Sequence, residues 1–111
     1  MSTANSLGEL RERLRVFAAD RGWERYHTPK NLTAAIAGEA GELAAVLQWA
    51  GPEEDLAGYM DELEDEIADV LIYLVRLCDV AGIDPIAAAS RKVDRNAERF
   101  PVADRAPEGE L

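Results

Sequence analysis

Residues 32–49, LTAAIAGEAGELAAVLQW, and residues 62–77, ELEDEIADVLIYLVRL, decide the fold. At ~100° per residue, Leu32, Ile36, Leu43, Val46 and Leu47 all fall within about 80° of Glu39 on a helical wheel. Leu63, Val70, Tyr73, Leu74 and Leu77 flank Glu66 in the same way. Apolar residues recurring at spacings of three and four specify amphipathic helices, and the alternation that would mark a strand is missing from both stretches. Each helix therefore carries an acid inside its apolar stripe, with a second acid, Glu42 or Asp69, three residues on at the border.

Further helices read outward from these two. Ser6 followed by Glu9 is a capping-box spacing, and Leu7, Leu10, Leu14 and Phe17 continue one apolar face until Gly22. The connector from Trp23 to Lys30 holds two large aromatics, a histidine and a proline. Asn31 or Thr33 is the expected cap of the second helix, which should run to about Trp49 before Gly51-Pro52 breaks it. The third begins between Leu56 and Asp61 and stops at Gly82. Asp84-Pro85 opens a fourth, with aspartate at the cap and proline at the first helical position. That helix ends before Phe100-Pro101, because a residue preceding proline is pushed out of the helical region. The reading is one all-α domain over residues 1–111, a four-helix bundle with its core at about 6–101 and a flexible tail at 102–111.

Composition narrows the function. Twelve basic residues against 22 acidic ones give a net charge of −10. Such a surface repels a nucleic-acid polymer and gains nothing at an anionic membrane. It tolerates a nucleotide, since a bound divalent cation reverses the local field. Cys78 is the single cysteine, expected as a small core residue, so neither an internal disulfide nor a thiolate metal cluster is available. No stretch has the ~18 apolar residues of a membrane span, and residues 1–7 carry no basic region followed by an apolar run. A cytoplasmic protein is the expectation.

The acids carry the chemistry. A lone carboxylate in a core stripe costs several kcal/mol unless paired or bound to a metal. Two such helices packed by these stripes bring Glu39, Glu42, Glu66 and Asp69 together, where they repel one another unless a cation joins them. Pairs of acids three apart are common on solvated helix faces; two pairs embedded in apolar stripes are not. Oxygen-only donors point to Mg²⁺, with Mn²⁺ as a substitute, rather than zinc. Glu53, Glu54, Asp55, Asp61, Glu64 and Asp65 read as solvating charges. Lys92 and Asn96, four apart on the fourth helix, can grip phosphate oxygens together. Lys30, at the start of the second helix, is a weaker phosphate candidate. Trp23 and Trp49 beside helix ends serve either as core plugs or as stacking platforms, and His27 reads as a hydrogen-bonded structural residue. Ile72 and Val75 lie on the side of the third helix away from Glu66, so that helix must be covered on more than one side and subunits should associate.

The order Glu39-x-x-Glu42, then Glu66-x-x-Asp69, resembles the all-α nucleoside triphosphate pyrophosphohydrolases, the MazG-like superfamily, and within it the dCTP pyrophosphatases. FAADRGWERYHTPKN at 17–31, Gly38 to Leu43 with Gln48-Trp49, Asp69 to Leu74, and Lys92-x-x-x-Asn96 with Arg99-Phe100-Pro101 carry the likeness over about residues 7–101. The resemblance implies a homotetramer, a dimer of dimers, that hydrolyses dCTP or a modified dCTP to the monophosphate and pyrophosphate. Such activity would clear unwanted nucleotides from the cell's pool. It implies Mg²⁺ on the four carboxylates, with Glu39 or Glu42 as the base for the attacking water. It further implies Trp23, Trp49 and Tyr73 around the base, and Lys92 and Asn96 facing the nucleotide. The sequence departs from the better-known members at Leu14, which stands where they carry a base-pocket histidine. Two other readings stay open. One is a related enzyme acting on dUTP, phosphoribosyl-ATP or NTPs broadly; the other is a non-catalytic helical module that binds only a cation or a protein partner.

Overall fold

Ser6 opens the first helix, its Oγ accepting the Glu9 N–H at 3.1 Å. Glu9 returns the favour one residue early, its carboxylate accepting from the Asn5 N–H at 2.8 Å rather than from the cap's own N–H. The computed structural model describes residues 3–102, so residues 103–111 of the expected tail lie outside it. Among the described residues there are four α-helices and no strand: α1 Leu7–Asp20, α2 Pro29–Val46, α3 Met60–Ala81 and α4 Pro85–Arg99. Single 3-10 turns at Glu24–Tyr26 and Leu56–Tyr59 precede α2 and α3.

Two glycines end helices in the left-handed region. Gly22 and Gly82 have φ of 65° and 72°, and the N–H groups that follow turn back onto the helix: Trp23 to the Ala18 carbonyl at 2.9 Å, Ile83 to that of Cys78 at 2.8 Å. A side chain would strain either position. The α4 start behaves as its sequence predicts, with Asp84 Oδ1 accepting from Ile86 and Ala87 at 3.0 and 3.1 Å.

The start of α2 does not. Its cap is Thr28, whose Oγ1 accepts from Asn31 N–H at 3.2 Å, rather than Asn31 or Thr33. Pro29 occupies the first helical position, where its fixed φ is helical and its missing N–H costs nothing. Asn31 instead donates its amide to the Tyr26 carbonyl at 2.9 Å, pinning the connector. The helix also ends at Val46, short of Trp49.

The α2 and α3 helices pack along one another, and α1 lies on α3. Leu32 of α2, Val75 of α3 and Ala18 of α1 are fully buried. Val75, expected to need a second subunit, is covered within the chain. Ile72, expected on the same side, is exposed, as are Ile67, Leu71 and Leu74 of α3. The fourth helix makes only isolated contacts with the others, and its apolar residues Ile86, Val93 and Phe100 face outward. A single chain is thus a three-helix core with α4 beside it, rather than a closed four-helix bundle. Cys78 is half-buried and free. No helix among the described residues is long and apolar enough to cross a membrane.

An ion pair ties α1 to α3. Arg15 Nε and Nη2 reach the two oxygens of Asp79 at 2.7 and 2.5 Å, and Arg76 Nη1 donates to the same carboxylate at 3.2 Å. The hydrogen bond from Arg15, then the charges of Arg15 and Arg76, overcome burial and hold the Asp79 carboxyl below its ordinary 3.8. A depressed folded value adds stability above the unfolded carboxylate range and loses it as pH falls through the folded value. Asp79→Asn should cost about 2 kcal/mol by urea denaturation at pH 7 and matched protein concentration. The gap to wild type should begin to close below pH 3.8; a gap that stays constant to lower pH would contradict the assignment.

Candidate functional site

Glu39 lies seven residues before the end of α2, and Glu66 six residues after the start of α3. In two consecutive helices that fold back on each other, nearly equal distances from the connection place residues side by side. Glu39, Glu66 and Asp69 each turn a carboxylate oxygen into the seam, all within 4.8 Å of one another and half-buried. Glu42, one turn further on, stays exposed outside this trio; its charge is still felt at Glu66.

Glu66 shows what the cluster lacks. Its Oε2 is sealed from solvent and has no hydrogen-bond partner. Burial first, then the charges of Asp69, Glu39 and Glu42, push its pKa above the ordinary carboxylate value. Leucine would stabilise the seam better, since an orphaned polar oxygen gives up its hydrogen bonds to water and gains none in return. A hard divalent cation fits the donor set. Glu39, Glu66 and Asp69, with one oxygen each already within 4.8 Å of the others, would hold such an ion.

The remaining candidates are placed unevenly. Tyr73, one turn beyond Asp69 on α3, is half-buried. Trp23 is 44% exposed and stands edge-on to Phe17 and His27, with ring centroids 5.6 and 6.2 Å away. Trp49, in the turn after α2, is 90% exposed. Neither tryptophan plugs a core in this chain. Lys30 is exposed in the first turn of α2. On α4, Lys92 is exposed and Asn96 half-buried. That helix does not pack on α2 or α3, so one chain does not bring the pair onto the carboxylates.

Sequence reading passed over Arg76. It is only 8% exposed, and its Nε donates to His27 Nδ1 at 3.0 Å. The signal was present in residues 73–78, YLVRLC, where a charge interrupts an apolar run as Glu66 does.

Residues 27–102 match the MazG nucleotide pyrophosphohydrolase domain. The chain is 40% identical over 102 residues to dCTP pyrophosphatase 1 of Rattus norvegicus, covering 87% of this chain and 60% of that protein. It is 40% identical over 101 residues to the dCTP pyrophosphatase 1 of Homo sapiens, covering 86% of this chain and 59% of that one. It thus spans about three-fifths of the length of these curated relatives. The fold matches the crystal structure of a pyrophosphatase from Archaeoglobus fulgidus with a TM-score of 0.82 and 44% identity, covering 91% of this chain and 97% of that one.

The seam makes a prediction that needs no substrate. Adding saturating Mg²⁺ to chelator-treated protein should raise Tm by about 5 °C or more. Glu66→Gln should melt no lower than wild type without metal and should lose the Mg²⁺-dependent rise. An undiminished rise in that variant would remove Glu66 from the site.

Proposed function

The chain belongs to the MazG nucleotide pyrophosphohydrolase family, and from that premise we propose that it hydrolyses a nucleoside triphosphate to the monophosphate and pyrophosphate. The substrate is dCTP or a modified or related triphosphate, and the setting is the cytoplasmic nucleotide pool. One observation carries the reading: Glu39, Glu66 and Asp69 converge in an apolar seam around an oxygen with nothing to bond. The names of the relatives, dCTP pyrophosphatase 1, support the choice of base.

Glu39, Glu42, Glu66 and Asp69 would hold Mg²⁺ or Mn²⁺. Bound there, such a cation neutralises triphosphate charge and makes the α-phosphorus more electrophilic. The protein's own groups do the rest. Glu39 or Glu42 accepts a proton from the attacking water. The water oxygen bonds to the α-phosphorus while the bond from that phosphorus to the bridging oxygen breaks, and pyrophosphate departs with the bond's electron pair. Lys92, Asn96 and Lys30 stabilise the phosphate oxygens by charge and hydrogen bonding.

Spacing along α3 supports where the nucleoside lies. Asp69, Tyr73 and Arg76 follow at intervals of four and three on one face, and Arg76 is about 10 Å along the axis from Asp69. The connector bearing Trp23 docks at Arg76 through His27. A triphosphate at Asp69 would therefore place its sugar near Tyr73 and its base near Trp23, and Trp49, which follows the opposite end of the seam in one chain, would reach that base from another subunit of the proposed tetramer.

Exposed apolar residues on α3 and α4 support a homotetramer, a dimer of dimers. Association covers Ile86, Val93 and Phe100 and fixes α4, and with it Lys92 and Asn96.

A panel of deoxy- and ribonucleoside triphosphates, assayed with Mg²⁺ and with chelator, tests the reaction. Pyrophosphate should appear only with metal, dCTP or a modified dCTP should be preferred, and orthophosphate should not be a primary product. Glu39→Gln and Asp69→Asn should each lower turnover about a thousandfold with helical circular dichroism unchanged. Full activity in either variant, or orthophosphate release, would contradict the mechanism.

A further inference from the structure

Arg76 and His27 take no part in the chemistry described above, yet they are joined in the half-buried junction between α3 and the 23–28 connector. An Arg Nε–H only donates, so the 3.0 Å contact to His27 Nδ1 requires a lone pair there and puts the imidazole proton on Nε2. The neutral ring is consistent with its surroundings: burial, then the Arg76 charge, lowers the His27 pKa.

The contact belongs to a closed circuit. Arg15 of α1 binds Asp79 of α3, and Asp79 accepts from Arg76. Arg76 holds His27, and His27 stands edge-on to Trp23 at 6.2 Å. Trp23 meets Phe17 of α1 at 5.6 Å, which returns the circuit to its start. Between Trp23 and His27 lies the 3-10 turn Glu24–Tyr26, bracketed by bonds from Tyr26 N–H to the Trp23 carbonyl at 2.9 Å and from His27 N–H to that of Glu24 at 3.2 Å. A ring fixed at one end of this short turn restricts the ring at the other. Trp23 is gripped by its two aromatic neighbours and left partly open to solvent.

From this circuit we infer that Arg76 and His27 are positioning residues, which orient Trp23 as the platform on which the nucleoside base stacks. The inference rests on the proposed nucleotide reading for its consequence, though not for its geometry. A mere staple between α1 and α3 would need only Arg15 and Asp79. The extension through Arg76 to His27 adds an ordered aromatic at the place where α3 leads away from the carboxylates. Holding Trp23 before substrate arrives spares the ordering cost at binding.

The test uses His27, because removing buried Arg76 would leave the pocket around Asp79 rearranged. His27→Leu removes the acceptor, whereas His27→Asn keeps an oxygen close to the Nδ1 position. The chain has two tryptophans, so a Trp49→Phe background lets Trp23 fluorescence be read alone and without nucleotide. In that background His27→Leu should red-shift Trp23 emission and steepen its quenching by acrylamide, and His27→Asn should do neither. With Trp49 intact, His27→Leu should raise the nucleotide KM about tenfold with kcat within about twofold, and His27→Asn should restore KM towards wild type. Unchanged quenching in His27→Leu, equal KM defects in the two variants, or a loss carried by kcat would each overturn the inference. If the wild-type protein turns over no triphosphate, the proposed function fails by itself, and the quenching result alone decides whether the pair positions Trp23.

Discussion

Two helices that pack through apolar stripes ordinarily exclude charge, and the α2–α3 seam admits three carboxylates. The rest of the structure is organised around that exception. Because Glu66 Oε2 is buried without a partner, the seam without a cation is strained by desolvation and by repulsion among its own acids. The same groups that weaken the packing are the ones able to hold a divalent ion. Stability surrendered at the seam has to be recovered elsewhere, and the chain recovers it in its helix caps, two left-handed glycine stops and the ion pairs that Arg15 and Arg76 make with the buried Asp79 carboxylate.

That cluster also explains how a small core carries a long site. The α3 helix is shared by every part: Glu66 and Asp69 in its first half, Tyr73 midway, Arg76 and Asp79 in its second half. The α2 helix supplies the opposing carboxylate, while α1 and the 23–28 connector brace the far end. In the proposed function a rigid helix would thus be the ruler that separates phosphate chemistry from base recognition. The fourth helix stands apart from this frame. Its sequence is amphipathic and well capped, yet it meets the other helices only at isolated points. Its apolar residues Ile86, Val93 and Phe100 remain exposed.

Local chemistry was legible in the sequence and non-local chemistry was not. The α1 and α4 starts were readable because Ser6 and Asp84 cap through bonds to N–H groups two or three residues away. Gly22 and Gly82 were readable as stops because their left-handed φ is a local demand. The α2 start was misread by three or five residues. Pro29 was counted with the connector, although proline after a threonine marks a first helical position as clearly as Asp84-Pro85 does. Periodicity found Glu39, Glu66 and Asp69, since a charge inside an apolar stripe needs a partner. Glu42, read at the border of the same stripe, stands exposed beside the trio. Arg76 was equally anomalous, but its partners lie on α3 and on the connector, and no spacing rule links residue 76 to residue 27. The exposure of Trp23 and Trp49 depends on what lies beside them in space, which composition does not report.

In the proposed function the carboxylate seam directs water to the α-phosphorus of a nucleoside triphosphate. Turnover in water labelled with heavy oxygen, followed by mass spectrometry of both products, tests it most directly. Label should appear in the nucleoside monophosphate and not in pyrophosphate. Label in the pyrophosphate, or in released orthophosphate, would place the attack on a different phosphorus and contradict it.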